Sequence, residues 1–332
     1  MTALQPHHPM LRRRAIVIAL AACAAGTLRG EAPWPNKPIR IVVAGAPGGG
    51  ADPLMRVIGQ QMAKTFKQPV IVDNKPGGNG VLSAKDVLAS PADGHTLLFT
   101  AAAFTVMAQA MPGKPPYDVT RDLAPVAQVG AGGIYLVTSN DFPAANMKEF
   151  VAHVKANPGR YNYASFGIGS SGHLVMAALQ NRHGLELNHV PYKAMTGILG
   201  DLQNGNVPIA FVDTVSSTPL IKAGKIKVMG VSGTGRTVAL PDVPTLTEQG
   251  FKFDTDGWYG VFAPAGTPAP VIAALNAEIN RIVVSPELKE RFAQLNLANP
   301  PLKSPEQFGQ TVRDDLKVWS RIVQDNRITP ES

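Results

Sequence analysis

The 332-residue chain holds one cysteine, Cys23. That excludes a disulfide within the chain and any metal site built on several thiolates. Charged residues reach only 17% and aromatics 6%, against about 25% charged in ordinary soluble domains. Neither an acidic disordered tail nor a charge-laced coiled coil fits. Long apolar runs are scarce as well. The stretch Ala15 to Ala25 falls short of the roughly 20 residues that span a bilayer, and no later segment is longer.

Charge is unevenly placed. The net charge is +7, but Arg12, Arg13, Arg14 and Arg29 against Glu31 lie in the first 32 residues, which leaves +4 for the rest. The remaining lysines and arginines are scattered, without a basic run or interleaved aromatics, so the sequence argues against a nucleic-acid partner. Instead, three arginines followed by an apolar run read as an export signal over residues 1–32. Two processing routes compete. Leu20-Ala21-Ala22-Cys23 resembles a lipobox, which would make Cys23 a lipid anchor, while Gly30-Glu31-Ala32 before Pro33 suits ordinary cleavage. The second is favoured, and Sec and twin-arginine export both stay open.

Glycine (32) and proline (29) are plentiful and mark turns. Between them, Ile39 to Ala44, Val70 to Val72 and Thr96 to Phe99 read as strands. Helices are expected from Asp52, with Leu54, Val57, Ile58 and Met62 at helical spacing, and over Val81 to Ala89. This order predicts an α/β fold with a largely parallel sheet. A second such region runs from Tyr135 to Ser232, with helices at 147–157, 173–181 and 196–204 and strands at 161–164, 189–190, 209–212 and 227–232. Three helices with proline at their starts close the chain, from Pro268, Pro286 and Pro305. The chain is expected to return to the first region near Trp258 to Ala263, giving two lobes: 33–136 with 259–332, and 137–258. Two crossings would permit closure on a ligand between them.

Nucleotide and hydrolase motifs fare poorly. GAPGGGAD at Gly45 to Asp52 lacks the Lys and Ser/Thr of a P-loop. Gly167 to Gly172 does match GxGxxG, with Glu186 about 20 residues on, and keeps an NAD-dependent enzyme open as an alternative. There is no GxSxG elbow or HExxH, and His95, His153, His173, His183 and His189 show no metal-ligand spacing. No catalytic residue, cofactor or metal is expected. Glycine loops of this kind can hold anions through backbone N–H groups at helix starts. Gly48, Gly49 and Gly50 form one candidate nest, and Gly169, Ser170, Ser171 and Gly172 the other, which together suit a small carboxylate.

Several segments together resemble the receptors of tripartite tricarboxylate transporters, the Bug family. They are 39–52 (IRIVVAGAPGGGAD), 73–80 (DNKPGGNG), 92–98 (ADGHTLL), 163–174 (YASFGIGSSGHL), 189–193 (HVPYK), 240–245 (LPDVPT) and 257–264 (GWYGVFAP). The resemblance implies a two-lobed periplasmic-binding-protein type II fold and a periplasmic solute receptor. Such a receptor would act as a monomer, capturing a carboxylated metabolite and handing it to a membrane permease; an orphan sensor serving a signalling partner is the other reading. Carried over by position, Ala46, Pro47, Gly48, Gly49, Gly50 and Asp52, with Thr100 and Ala101, should meet the ligand from the first lobe. Ser165, Gly167, Ser170, Ser171, His173, Tyr192, Lys193 and Asp213 should meet it from the second, with Trp258 either on the ligand or packed in the hinge. Ala44 and Gly45 stand where the family has proline and an aromatic residue, and Ala194 where it has glycine. A ligand bulkier than a short dicarboxylate, such as an aromatic acid, is therefore expected.

Overall fold

The computed structural model describes residues 33–47, 51–77, 80–113, 116–253, 256–294, 297 and 302–329. The expected leader with Cys23, and the nest Gly48 to Gly50, lie outside the described residues. The chain divides after Asn36 into two units. Residues 33–36 carry no regular secondary structure, and everything below concerns the unit from Lys37 onward.

That unit is built on two five-stranded sheets. In the first, β1 (Ile39–Val43) lies between parallel neighbours β2 (Val70–Asn74) and β3 (Thr96–Ala101). The β-branched run IRIVV suits this position, since all but Arg40 are fully buried. Helix α1 (Ala51–Phe66) follows β1, with Asp52 in its first turn and Lys64 in its last, each matching the helix dipole. Helix α2 (Val81–Leu88) connects β2 to β3.

The rest of this sheet departs in part from the sequence reading. Next to β3 lies β10 (Gly257–Pro264), antiparallel, and beyond it β4 (Leu123–Gly132) forms the edge. Because β10 runs against both neighbours, β4 points the same way as β1, β2 and β3; four of the five strands share one direction, as expected, and β10 is the exception. Strand β4, LAPVAQVGAG, was not expected at all. Its alanine, glycine and proline carry little strand preference, and Pro125 is tolerated because β4 is an edge. Its pairing with β10 shifts register between Tyr259 and Gly260 and again between Val261 and Phe262.

The second sheet has the order β7-β6-β8-β5-β9: β5 (Tyr135–Thr138), β6 (Tyr161–Ser165), β7 (Leu187–Pro191), β8 (Ile209–Val212) and β9 (Lys227–Val231). It is mixed, with β6 parallel to β7 and β8, and β5 antiparallel to β8 and β9. A five-residue helix, α3 (Val106–Ala110), belongs to the first region; α4 (Met147–Lys155), α5 (Ser171–His183), α6 (Met195–Gln203) and α7 (Thr214–Lys222) belong to the second. Helix α7 was also unexpected, because Pro219 sits inside it.

Strand β10 is a member of the first sheet. Helices α8 (Ala269–Val283), α9 (Pro286–Gln294) and α10 (Pro305–Asp325) follow, and α8 and α10 pack against β4. Ser304 caps α10 in a reciprocal box with Gln307, and Phe308, Val312, Trp319 and Val323 bury one face of the helix. One apolar core runs through both sheets, from Leu98, Phe262 and Trp319 to Met176 and Phe211. Another, around Tyr135, Leu202 and Val212, occupies the second sheet's other side.

The outgoing and returning chains meet between the sheets. Ser232 donates its N–H to the Ile134 carbonyl (2.9 Å), and the Ile134 N–H returns to Ser232 Oγ (3.0 Å). This contact needs Gly133, because a Cβ there would lie 1.5 Å from the Ser232 carbonyl oxygen. Among the described residues, no helix is long and apolar enough to cross a membrane.

Candidate functional site

Where the two sheets face each other, a cavity of about 200 Å³ opens beside the crossing segments. The end of β3 and the turn after it contribute Ala101, Ala102 and Ala103. The crossings contribute Gly132, Gly133 and Ile134 on one strand and Gly257, Trp258 and Tyr259 on the other. From the second sheet come Ser171 at the start of α5 and Asp213, Thr214 and Val215 at the start of α7. Met107 and Leu297 complete an otherwise apolar wall.

Two helix starts thus converge on one space, each with a polar cap. Ser170 caps α5, its hydroxyl accepting from the His173 N–H (3.4 Å), so the amides of Ser171 and Gly172 have no intrahelical acceptor. Gly172 lets α5 approach the sheet: a Cβ there would lie 2.9 Å from that of Phe211 and 3.2 Å from that of Ser165. Asp213 caps α7 by accepting from the Val215 N–H (2.9 Å) and the Ser216 N–H (2.7 Å). Burial, and then the Asp213 carboxylate, push the Tyr259 phenol up from its ordinary value.

Behind α5 lies a network of buried polar groups. The Ser165 hydroxyl donates to the Gly167 carbonyl (3.1 Å) and lies 2.7 Å from His189 Nε2, and Ser170 Oγ donates to Ser165 Oγ (3.2 Å). His189 stacks on His173, with ring centroids 4.0 Å apart and 7° between planes. His173 Nδ1 accepts from the Gly169 N–H (3.1 Å). Burial lowers both imidazoles, and the His173 neighbour takes His189 further, down to about 4. Both rings are therefore neutral near pH 7. The Ser165–His189 contact was not foreseen from the sequence, although HVPYK held the histidine. Ser165 is fully buried and its hydroxyl is engaged on several sides, so the pair braces the loop rather than presenting a nucleophile.

Of the residues singled out in the sequence, Ala101, Ser171, Asp213 and Trp258 line the cavity. Ser165, Gly167, Ser170 and His173 belong to the network behind it. Thr100 is buried within β3, and Asp52 is paired with Arg56 at 3.0 Å. Ala46 and Pro47 are exposed ahead of α1. Tyr192 does not line the cavity: it packs over Gly197, donates to Asp201 and is pushed up to about 12 by burial and that carboxylate. Lys193 is exposed and outside the lining as well. Trp258 lines the cavity with one part and is anchored by another, its Nε1 donating to Asp315 Oδ2. Met107, Ile134, Val215, Tyr259 and Leu297 were not expected in the lining. Tyr259 lay in a motif already noted, whereas the others carry no chemical signature.

The dinucleotide reading loses its acidic partner. Glu186 precedes β7 and is exposed. It therefore stands at the start of that parallel strand, whereas the ribose-binding acid of such sites belongs at a strand's carboxyl end. Among the described residues, no group of three or more His, Cys, Asp or Glu could hold a metal ion.

The profile of the family described as "Tripartite tricarboxylate transporter family receptor" matches residues 54–328. The chain belongs to this receptor family. It is 34% identical over 324 residues to a UPF0065 protein of Pseudomonas sp. strain P51, covering 96% of this chain and 95% of that one. It is 32% identical to protein BugT of Bordetella pertussis over 313 residues, 93% and 95% of the two chains. Among solved structures, a TctC solute-binding protein from Polaromonas superposes with a TM-score of 0.78 at 25% identity, over 88% and 99% of the chains. A Rhodopseudomonas palustris protein with malate bound, MatC, gives 0.71 at 30% identity over 87% and 100%. Another from R. palustris, solved with adipate, gives 0.74 at 26% over 90% and 100%. The cavity of this receptor thus lies in a fold shared with periplasmic binding proteins.

Proposed function

We propose that this chain is a periplasmic receptor that captures a small carboxylate in the cavity between its sheets and delivers it to a membrane permease of the tripartite tricarboxylate type. The observation that carries the reading is the convergence of two helix starts, at Ser171 and Asp213, on one cavity between two α/β sheets. The two sheets with their helices are the lobes, and the paired crossings at Gly133, Ile134 and Ser232 are the hinge on which they close. Relatives of this fold solved with adipate and malate support a carboxylate as ligand.

The ligand is an apolar or aromatic acid with one carboxylate. No lysine or arginine lines the cavity among the described residues, so the counter-charge comes from the α5 amides and not from side chains. Met107, Ile134, Trp258, Tyr259 and Leu297 would enclose its apolar body.

A thermal-shift screen across mono-, di-, tri- and aromatic carboxylates tests this. A ligand at 100 times its dissociation constant stabilises the folded state by about 2.7 kcal/mol. Stabilisation by an aromatic monocarboxylate is expected, and Ser171→Asp should remove it by placing a like charge at the amides. Stabilisation by succinate or malate with none by aromatic acids would overturn the ligand class. Stabilisation that survives in Ser171→Asp would overturn the site.

A further inference from the structure

A second hollow, of about 640 Å³, shares no lining residue with the cavity between the sheets. It lies between the C-terminal halves of α5 and α10, with Lys252 and Phe253 of the returning segment closing one side. Its chemistry is unlike that of the first cavity. Four cations, Arg182, Lys252, Lys317 and Arg321, outnumber two carboxylates, Asp314 and Asp325. The Asp314 carboxylate is already engaged, by Gln310 at 2.8 Å and Lys317 at 3.3 Å. Arg182 is steadied at one rim by donating to the Lys252 carbonyl. The Arg321 side chain has no hydrogen bond or ion pair among the described residues.

Helix dipoles do not account for these charges. Arg182 lies in the last turn of α5 and complements its carbonyl end, but the last turn of α10 contains no basic residue. Lys317 and Arg321 stand further back along α10, on the helix side that carries Val318, which is 40% exposed. A cationic rim around an exposed apolar strip fits a molecule that is anionic at one end and apolar at the other. The volume is in the range of roughly 300–1,000 Å³ that small-molecule sites occupy.

We propose that this groove is a second ligand site for a small amphipathic anion, its carboxylate or sulfonate held by Arg182, Lys317 and Arg321 and its apolar body lying on Val318 and Ile322. The inference goes beyond the receptor reading and does not depend on it. Helix α5 begins in the first cavity at Ser171 and ends in this groove, about 20 Å along at 1.5 Å per residue. Because α5 packs on the second sheet and α10 on the first, a molecule gripping both would bear on the spacing of the sheets.

The test is a titration of the purified chain with 8-anilinonaphthalene-1-sulfonate, followed by fluorescence and calorimetry. One saturable site is expected. Its affinity should fall at least tenfold in Lys317→Glu/Arg321→Glu and stay within twofold in Lys148→Glu/Lys222→Glu, exposed lysines elsewhere that reverse the same amount of charge. N-phenyl-1-naphthylamine, which lacks the sulfonate, should bind at least tenfold more weakly. Saturable binding should persist in Val215→Trp, which fills the first cavity. Absence of a saturable site, equal affinity in Lys317→Glu/Arg321→Glu, an equal loss in the control pair, equal binding of the neutral probe or abolition by Val215→Trp would each overturn the proposal. All four lysines and arginines changed are exposed, and matching melting curves confirm that the variants fold.

Discussion

The Trp258 indole donates its Nε1 proton to Asp315 Oδ2 at 2.7 Å, which ties the returning strand β10 to helix α10. Trp258 also meets Phe308 edge-on, with centroids 5.2 Å apart and planes at 86°. Since the same residue lines the cavity, the wall nearest the crossings is fixed through a carboxyl group on a distant helix. Burial pushes Asp315 up to about 6; the Trp258 bond and the Lys303 charge pull it down, while Asp256 and Asp314 push it up.

A pH dependence follows from Asp315. Folded, its carboxyl keeps a proton up to about pH 6, whereas the unfolded group releases it near pH 3.9. The folded state binds more protons between these values, so this group's contribution to stability is complete below about pH 4 and lost as pH rises through 6. In Asp315→Asn that dependence disappears. Melting temperatures measured at pH 5 and 7.5 should favour the variant over the parent by several degrees more at the higher pH. A difference that is the same at both would show that Asp315 is not protonated in this window.

His189 acts with the opposite sign. Its folded pKa is lowered to about 4 from an ordinary 6.5, so the unfolded state binds more protons in between. Stability from this group is present above pH 6.5 and lost as pH falls toward 4. His189→Gln should therefore melt less steeply than the parent on acidification from pH 6.5 to 4.5, while melting lower at pH 7.5 for want of the stacked ring on His173. An unchanged acid slope in calorimetric scans would place the acid sensitivity elsewhere.

Gly133 is the tightest point of the crossing. A Cβ there would meet the Ser232 carbonyl oxygen at 1.5 Å, a clash only backbone movement can relieve. At Gly132 the same atom would meet Leu297 at 3.5 Å, an ordinary contact. Gly133→Ala should cost about 2 kcal/mol or more, and Gly132→Ala less than about 1. Urea unfolding of the two variants side by side checks this, and equal losses would mean that the crossing is not what Gly133 permits.

The sequence was readable where local chemistry decided structure. Ile39 to Val43 could hardly be anything but a buried strand, and Ser304-Pro305 with Gln307 announces a helix start. Strand β4 and helix α7 were hidden because their own residues argue against them. The first exists through its pairing with β10, the second through the Asp213 cap and in spite of Pro219. In the cavity, Ser171 and Trp258 lay in family-like segments, and Ala101 and Asp213 just past the strands read at 96–99 and 209–212. Met107, Ile134 and Leu297 are plain apolar residues far apart in the chain, and only folding brings them together. The cationic groove was out of reach for the same reason, since Arg182, Lys252 and Lys317 look like scattered surface charge.

Asp213 offers the clearest separation of a structural role from a binding one. Its carboxylate satisfies two amides at the start of α7, at 2.9 and 2.7 Å, and also lines the cavity. Asp213→Ala removes the cap and should cost about 1 kcal/mol, whereas Asp213→Asn, an equally good capping residue, should keep most of that stability. Charge is a different matter. In Asp213→Asn the negative charge leaves the cavity while the cap stays, so a carboxylate ligand near the α5 amides loses a repulsive neighbour. For a half-buried charge this is worth up to about 1 kcal/mol, or roughly a two- to fivefold gain in affinity. Calorimetry on the ligand found by the carboxylate screen should therefore show tighter binding in Asp213→Asn than in the parent. Weaker binding there, with stability unchanged, would mean that the carboxylate itself accepts a hydrogen bond from the ligand, which then carries an N–H or ammonium group beside its acid.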